Sequence, residues 1–565
     1  MPSCLNSGLF SLGLKGSCEL GRESGSFFRD YAAREINVLL WISLIATTAL
    51  LLRKIATLLN LWAKGWKIPG PPCPSFHGHS KLISETGSGE NLNELLFKSH
   101  KKYGSIVGLW LGPTQLLVSV KDLALIKEVL EKAEDKLPLT GRAFRLAFGR
   151  SSLFASSFDK VQHRRESLAL QLNGNLLERV SAVSLKVVDC VIERMDSIMV
   201  KGLLDCRSFS QHMSFSILGA TLFGESFLSW PNAITYEELL MMIAKDAWFW
   251  ASYNVPPIWK RGFWRYRHLC TKLKCLTQDI ILQCKQTDNP LGHTNTLFKD
   301  KTAWSTGGTF SPSDKMPNDS LLEGLNNHFD HREELCGNIM GVMFHGCLTT
   351  AGLVGSILTR LVMHPEIQDK IYSEVVAVCS TSKPEACDVQ KMTFLFATVY
   401  EAARLLPAGP LLQRCSLKHD LKLKSGITVP TGAIVVVPIQ LVQMDDSSWG
   451  TDANQFNPYR FLSKTVIDET DPVIKASTTG MDSRSSFVLN DLNEKSSFLP
   501  FGSGTRVCVG ERFVVLAIAT MFAYLIQQFE VRLQPGCGNH PKPTMNNCVL
   551  ELLPSPKIVL VRRNS

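Results

Sequence analysis

Cys508 lies in a glycine-rich stretch of the sequence, residues 498–512. An apolar run follows at once, residues 513–529, so the sequence predicts a tight loop that leads into a buried helix. A cysteine near a helix N-terminus tends towards the thiolate form, because the amide N–H groups and the helix dipole favour negative charge there. Such a thiolate can serve as a metal ligand or as a nucleophile, and the plain alternative is an ordinary buried cysteine.

The residues around this cysteine are spaced as Phe501-x-x-Gly504-x-Arg506-x-Cys508-x-Gly510. Glycines in such a loop allow backbone conformations that other residues avoid, and they let another group come close. Arg506 adds a positive charge that can meet an anionic group of a cofactor. The pattern resembles the haem-binding signature of the cytochrome P450 family.

The resemblance implies that Cys508 is the axial thiolate ligand of the iron of haem b. Such a ligand pushes electron density onto iron and favours cleavage of the O–O bond. The resemblance also implies that Arg506 pairs with a haem propionate. The cofactor would lie against three other residues of the loop, Phe501, Gly502 and Gly510.

A long stretch that leans towards apolar residues, 332–363, predicts a helix of roughly thirty residues that is buried through its middle. Halfway along it stands the sequence His345-Gly346-Cys347-Leu348-Thr349-Thr350. From the residues alone, this is a packed helix in which a threonine hydroxyl returns a hydrogen bond to its own backbone.

In the resembled family this helix lies on the distal side of haem and usually reads Ala/Gly-Gly-x-Asp/Glu-Thr-Thr/Ser. Thr349 and Thr350 match the pair of hydroxyl residues, and the resemblance implies that Thr349 helps to protonate iron-bound dioxygen. Leu348 stands where an acid is usual, and leucine cannot relay protons. We therefore hypothesise that His345 takes over the function of the missing acid.

Glu401 and Arg404 are three residues apart, so they can pair on one face of a helix. As an exposed pair they would contribute under about 1 kcal/mol. The resemblance implies instead a buried Glu-x-x-Arg pair behind the haem, locked to an arginine of a later loop, for which Arg460 is the candidate. Such a triad specifies geometry, and removal of one member is costly.

Basic residues before the long helix are further candidates for the haem propionates. From the residues alone, the cluster His163-Arg164-Arg165 is a solvated helix face. The resembled family carries Trp-x-x-x-Arg here; Arg164 matches the arginine, and Lys160 stands in the place of tryptophan but can still reach an anion. Arg414 matches a strand-borne arginine that contacts a propionate in family members.

An apolar run at residues 36–52 predicts a membrane anchor. At about 1.5 Å per residue it spans roughly 26 Å, just short of a hydrocarbon core of about 30 Å. Basic residues without acids follow at 53–67, so we expect a single pass through the endoplasmic reticulum membrane, with the rest of the chain in the cytosol. The alternatives are a cleaved signal peptide and a plastid transit peptide, against which the acidic residues of the first thirty positions argue.

Composition divides the rest of the chain. The start is rich in serine and glycine and predicts a disordered leader, whereas a proline-rich stretch after the anchor predicts a semi-rigid hinge. The expected organisation is a leader over 1–30, an anchor over 31–67, a hinge over 68–74 and a catalytic domain over 75–565, with a polar insert over 464–497.

Charge and cysteine usage exclude other classes of function. The net charge of +9 is dispersed, so we expect no nucleic-acid partner. The 16 cysteines show neither a disulfide framework nor a zinc pattern, which favours a reducing compartment. His328-x-x-His331 has a metal-like spacing but offers only two ligands, so we predict no zinc site there.

The threonine helix, the Glu-x-x-Arg pair and the cysteine loop occur in the order of the resembled family. The resemblance implies a mainly α fold with small β-sheets (α+β), with haem between the threonine helix and the cysteine loop. The implied activity inserts one oxygen atom from O2 into a small hydrophobic substrate, with electrons from NADPH-cytochrome P450 reductase. Two alternatives stay open: a reductase-independent isomerase or dehydratase, suggested by Leu348, and a non-catalytic haem-binding sensor or carrier.

Overall fold

The structure is a computed structural model, in which the chain divides into two compact units, residues 1–63 and 64–565. The described residues are 22–73, 78–79, 90–132, 145, 147–149, 152–153, 158–193, 204–251, 257–287, 332–379, 382–407, 411–415, 419–464, 487–490, 497–534, 542–546, 549–553 and 557–563.

The first helix, α1 (Arg22–Gly65), carries the apolar run of the predicted anchor. It begins within the segment predicted as a disordered leader, so its start does not coincide with the predicted boundary at residue 31. No proline interrupts the chain between Arg22 and the apolar run, so the helix can extend towards the N-terminus. Its part Ala33–Gly65 is long and apolar enough to cross a membrane, and the most apolar window of that part is exposed.

The larger unit is mainly helical, with small sheets. Its helices are α2 (Glu90–Tyr103), α3 (Leu123–Lys132), α4 (Phe158–Asn173), α5 (Asn175–Glu193), α6 (Cys206–Phe223), α7 (Ala233–Ala251), α8 (Arg261–Thr287), α9 (Arg332–Met363), α10 (Pro365–Cys379), α11 (Ala386–Val389), α12 (Thr393–Leu405), α13 (Ile439–Gln443), α14 (Asp446–Trp449) and α15 (Glu511–Gln528). Short 3-10 turns lie at Glu225–Ser229, Pro458–Phe461 and Gly504–Arg506.

The strands form one four-stranded sheet and several smaller ones. They are β1 (Ile106–Trp110), β2 (Leu116–Val120), β3 (Leu204–Asp205), β4 (Leu411–Cys415), β5 (Leu421–Lys422), β6 (Thr428–Val429), β7 (Ile434–Pro438), β8 (Leu462–Lys464), β9 (Phe487–Leu489), β10 (Phe529–Leu533), β11 (Lys542–Asn546), β12 (Val549–Leu553) and β13 (Lys557–Arg562). The largest sheet has the order β1-β2-β7-β4, in which only the β2–β7 pair is parallel. β13 lies between β10 and β3 in a second sheet.

The predicted polar insert falls mostly outside the described residues, which resume at β9. This strand pairs antiparallel with β8, so that part of the insert is ordered into a two-stranded sheet. His328-x-x-His331 also lies outside the described residues.

The core is built around α9, whose bounds are those predicted from its apolar pattern. Its segment Leu335–Met363 is apolar enough for a membrane span, but 72% of its most apolar window is buried inside the protein, as expected of a core helix. α6 packs closely against it: a Cβ on Gly346 of α9 would lie 2.5 Å from Leu218 Cδ2 of α6. α15 packs on α5, where Thr520 donates a hydrogen bond of 3.1 Å to Ser181 Oγ.

Candidate active site

The loop before α15 places the Cys508 side chain at its surface. Gly502 and Gly504 have φ angles of 80° and 70°, in the left-handed region that glycine tolerates best. A Cβ on Gly504 would lie 2.6 Å from the Leu130 carbonyl oxygen of α3, so the close packing of that helix also requires glycine. The backbone N–H of Cys508 donates to the Phe501 carbonyl at 2.8 Å, which closes the loop and leaves the cysteine side chain exposed.

Arg165 of α4 reaches this loop. Its Nη2 donates a hydrogen bond of 2.9 Å to the carbonyl of Val507, the residue before the cysteine. Burial lowers the pKa of Arg165, and the nearby charge of Cys508 acts in the opposite direction. The guanidinium therefore supplies a positive charge beside the sulfur, which favours the thiolate. Sequence reasoning missed this residue: it selected Arg164 from the same basic cluster, and neither residue's position relative to the loop can be read from the spacing.

The other basic residues predicted to bind haem lie on three different elements. The Arg506 side chain is buried, with 7% exposure, in the 3-10 turn of the cysteine loop. Arg164 is half-buried on α4, where burial lowers its pKa. Lys160 lies in the first turn of the same helix, and Arg414 lies in β4 with its backbone opposite Val435.

The two remaining predicted residues of the cysteine loop are Phe501 and Gly510. Phe501 is half-buried, with its ring centroid 6.4 Å from that of Phe498. Gly510 is the N-cap residue of α15, so the helix begins directly after the cysteine loop.

One face of α9, the uncovered face, carries the residues of this helix that other described residues cover least. Val342, His345, Gly346 and Thr349 follow one another at helical spacing, and each is half-buried or exposed within a helix that is otherwise mostly buried. The Thr349 hydroxyl donates to the His345 carbonyl at 2.7 Å, as the packed-helix interpretation expects. An open face on this core helix, together with an open sulfur, suits a large planar group with a metal at its centre.

The other two predicted residues of α9 differ in their surroundings. The imidazole of His345 packs edge-on against Phe344, at 5.4 Å between ring centroids. Thr350, in contrast, is buried. His345 as a whole is half-buried, and its Nε2 is a buried atom.

Leu348 is also buried, and it lines a small cavity next to Cys347 and Glu237 of α7. Burial raises the pKa of the Cys347 thiol well above its ordinary range, and the charge of Glu237 adds to that effect. A carboxylate from another helix thus lies near the position where the family motif carries its acid. Nothing in the local sequence of α7 indicates this.

Glu401 and Arg404 of α12 form a fully buried ion pair, with both side chains at 0% exposure. Arg404 Nε and Nη2 donate to the two Glu401 carboxylate oxygens at 2.6 and 2.8 Å. Arg404 Nη1 donates to the carbonyls of Gln443 and Ala453, each at 2.6 Å. The pair therefore holds α12 against the end of α13 and the chain that follows α14.

Arg460 completes this network. Its Nε lies 3.4 Å from Glu401 Oε1, and its Nη1 donates to the Trp449 carbonyl at 2.7 Å. Its Nη2 forms an ion pair of 2.5 Å with Asp452. The structure therefore brings the predicted triad together, and the arginines satisfy backbone carbonyls that would otherwise be costly to bury.

The comparisons with known proteins agree with this geometry. The family model described as Cytochrome P450 matches residues 68–561. Cytochrome P450 734A1 of Arabidopsis thaliana is 25% identical over 452 residues, which are 79% of this chain and 78% of that protein. Protein LUTEIN DEFICIENT 5, chloroplastic, also of Arabidopsis thaliana, is 22% identical over 78% of this chain and 69% of its own length. The 11-oxo-beta-amyrin 30-oxidase of Glycyrrhiza uralensis is 32% identical over 34% of this chain and 32% of its own length.

The chain belongs to the cytochrome P450 family and is a haem-thiolate monooxygenase. The predicted family, the mainly α fold with small sheets and the enzyme class are confirmed. Family membership implies a haem ligated by a cysteine thiolate, a redox partner, O2 and a hydrophobic substrate. The exposed Cys508 side chain and the uncovered face of α9 fit such a group.

Proposed function

We propose that this chain is a membrane-anchored monooxygenase that inserts one oxygen atom of O2 into a small hydrophobic substrate, with electrons from NADPH-cytochrome P450 reductase. The observation that carries the proposal is the Cys508 side chain, exposed in a loop whose glycines Gly502 and Gly504 adopt left-handed backbone conformations. Bound haem supplies the electron-transfer and oxygen chemistry, while the protein supplies binding and orientation.

In this proposal the cofactor is haem b and Cys508 is its iron ligand. Arg506, Arg164, Lys160 and Arg414 hold the propionates, because cationic donors bind carboxylates with strong, oriented hydrogen bonds. Phe501, Gly502 and Gly510 border the porphyrin. Glu401, Arg404 and Arg460 keep α12 and the following loops in place behind it.

In this proposal, side chains on the uncovered face of α9 supply and transfer protons during the reaction. Thr349 Oγ1 lies on this face and can hold a proton for transfer, with Thr350 beside it in sequence. Leu348 is buried and has no titratable group, so a proton must come from elsewhere. His345 shares the uncovered face with Thr349, and this supports the hypothesis that its imidazole substitutes for the acid.

We place the enzyme in the endoplasmic reticulum membrane, with α1 as a single-pass anchor and the residues from 75 onwards in the cytosol. The exposed apolar part of α1 and the basic residues after it support this arrangement. One similar protein is named as chloroplastic, so a plastid membrane is the location to compare. Expression of the full chain with a C-terminal fluorescent protein distinguishes the two membranes by co-localisation.

The purified full chain tests the proposed chemistry. Reduced protein exposed to carbon monoxide should give the long-wavelength Soret band of thiolate-ligated haem, and Cys508→Ser should abolish it while Cys387→Ser, at another exposed cysteine, retains it. With a substrate that shifts the haem spin state, oxygen uptake should require both NADPH and the reductase. Turnover without either would instead support an isomerase or dehydratase, and a Soret band retained in Cys508→Ser would refute the ligand assignment.

A further inference from the structure

A cavity of about 260 Å³ lies between α5, α6, the turn Glu225–Ser229 and the start of α7. Aromatic and aliphatic side chains make up most of its wall, including Phe215, Phe227, Trp230 and Val191. None of the candidate haem-binding or proton-handling residues is among the described residues that line it. The cavity is therefore distinct from the candidate haem site, although Glu237 borders both this cavity and the small cavity beside Leu348.

Helix α6 stands between this cavity and α9. Leu218 of α6 lies against Gly346 of α9, whereas His212, Phe215 and Ser216 of α6 line the cavity. On a helix of 3.6 residues per turn, position 216 faces almost directly away from position 218. A molecule in the cavity would thus contact Ser216 on the outer side of α6, and also Phe215, which lies about 60° around the helix from Leu218 and reaches towards α9.

The apolar wall contains one strongly polar pair. His212 Nδ1 of α6 lies 3.0 Å from Glu237 Oε2 of α7. The His212 side chain is 39% exposed and the Glu237 side chain is 19% exposed, so the pair lies at the edge of the cavity and not in its floor. An ionised carboxylate can only accept hydrogen bonds, so a ligand would have to bring a donor such as a hydroxyl to Glu237.

The volume limits the size of that ligand. An apolar cavity of about 150 Å³ is enough to bind benzene. The present cavity is larger, and the rings of Phe215, Phe227 and Trp230 offer faces and edges for an aromatic guest. A two-ring aromatic molecule with a single hydroxyl group matches both the volume and the position of the carboxylate.

We propose that this cavity is a second binding site, separate from the haem, for a small, flat aromatic alcohol whose hydroxyl donates to Glu237. The ligand would stack among the aromatic side chains and displace water from their surfaces. Phe215 and Glu237 also line the small cavity beside Cys347 and Leu348, so the occupant shares two wall residues with the threonine helix.

The test uses the full-length, haem-loaded protein and 2-naphthol as the probe. Calorimetry measures all binding, whereas the Soret spectrum responds to binding beside the haem. We expect a calorimetric component, meaning heat released as the probe binds, that has no matching change in the Soret spectrum. Ala233→Phe, which places a ring in the cavity, and Ile234→Trp at its exposed rim should each weaken that component at least tenfold.

Two comparisons isolate the hydrogen bond. Glu237→Leu should weaken the same component about tenfold or more, whereas Glu238→Leu, on the exposed side of the same helix, should leave it unchanged. Naphthalene, which lacks the donor, should bind wild-type protein more weakly than 2-naphthol by a similar factor. The two filling variants, Ala233→Phe and Ile234→Trp, should retain the thiolate Soret band, which verifies folding independently of the proposed site.

The proposal is overturned if every calorimetric component survives in a folded filling variant, or if all binding is matched by Soret changes. It is also overturned if Glu237→Leu and Glu238→Leu have the same effect. These outcomes do not affect the assignment of the monooxygenase activity, which depends on the haem spectrum and on NADPH-dependent oxygen uptake.

Discussion

Arg165 of α4 donates a hydrogen bond to the carbonyl of Val507, one residue before the candidate iron ligand. The bond joins two segments that are 342 positions apart in the chain. It fixes the backbone next to the sulfur from outside the loop. Its donor is positively charged, so it also acts electrostatically on the sulfur.

The first prediction concerns this bond. Arg165→Gln should lower the free energy of unfolding of the haem-loaded protein by about 1.5 kcal/mol, as expected for loss of a hydrogen bond from a charged donor. The thiolate Soret band should also convert more rapidly to the band of protonated thiol. Urea unfolding and the decay of the carbon monoxide spectrum measure the two effects. His163→Gln, whose side chain is 96% exposed, is the control and should match wild type.

The second prediction concerns the buried ion pair of α12. Glu401→Leu leaves Arg404 as an uncompensated buried charge and should cost about 3–5 kcal/mol of stability, with little folded haem protein recovered. Glu530→Leu breaks a partly exposed Glu–Arg pair and should change the urea midpoint much less. Equal midpoints for the two variants would show that the network around Glu401 does not stabilise the fold.

The third prediction separates backbone strain from steric overlap. Gly504→Ala must accept both a φ of 70° and a Cβ placed 2.6 Å from the Leu130 carbonyl oxygen. Gly426→Ala has a similar φ of 81° but no atom within 4 Å, so it carries only the cost of about 1–2 kcal/mol for a left-handed residue. We expect Gly504→Ala to be the less stable variant and to lose haem, measured by the ratio of Soret to protein absorbance. Similar losses would contradict the close packing of α3 against the loop.

The fourth prediction concerns pH. His100 is buried, with Nδ1 2.8 Å from the Gly104 carbonyl and Nε2 2.8 Å from Ser119 Oγ. Burial lowers the pKa of its imidazole. The unfolded chain therefore binds this proton more readily, with a pKa near the usual value of about 6.5, and stability falls as the pH drops below that value.

His100→Gln should remove this part of the pH dependence, even though it lowers stability at neutral pH. Urea midpoints measured between about pH 5 and pH 8 check the slope. His268→Gln, at an exposed histidine of α8, should keep the wild-type slope. An unchanged slope in His100→Gln would assign the dependence to other groups.

The fifth prediction tests the hypothesis that His345 substitutes for the acid missing at Leu348. His345→Ala should raise the ratio of hydrogen peroxide to product several-fold, because protons reach Thr349 less efficiently. Val342→Ala removes bulk from the same uncovered face without a titratable group, and its ratio should stay near that of wild type. Unchanged coupling in His345→Ala would remove this residue from the mechanism.

Much of this enzyme can be read from local sequence. The spacing around Cys508 identifies the family, because a thiolate ligand next to a large planar cofactor needs glycines at particular positions. The apolar pattern of α9 predicts both of its ends, since helical periodicity is a property of neighbouring residues. The spacing of Glu401 and Arg404 likewise predicts their pairing on one helix face.

Contacts between distant segments depend on tertiary packing. The rotation of α4 against the cysteine loop decides that Arg165 of the basic cluster bonds to Val507. The packing of α7 near α9 brings Glu237 to the cavity beside Leu348, although the motif shows only an apolar residue at that position. Sequence patterns describe which residues share a face of one element, whereas the relative placement of two elements follows from how all their buried side chains fit together.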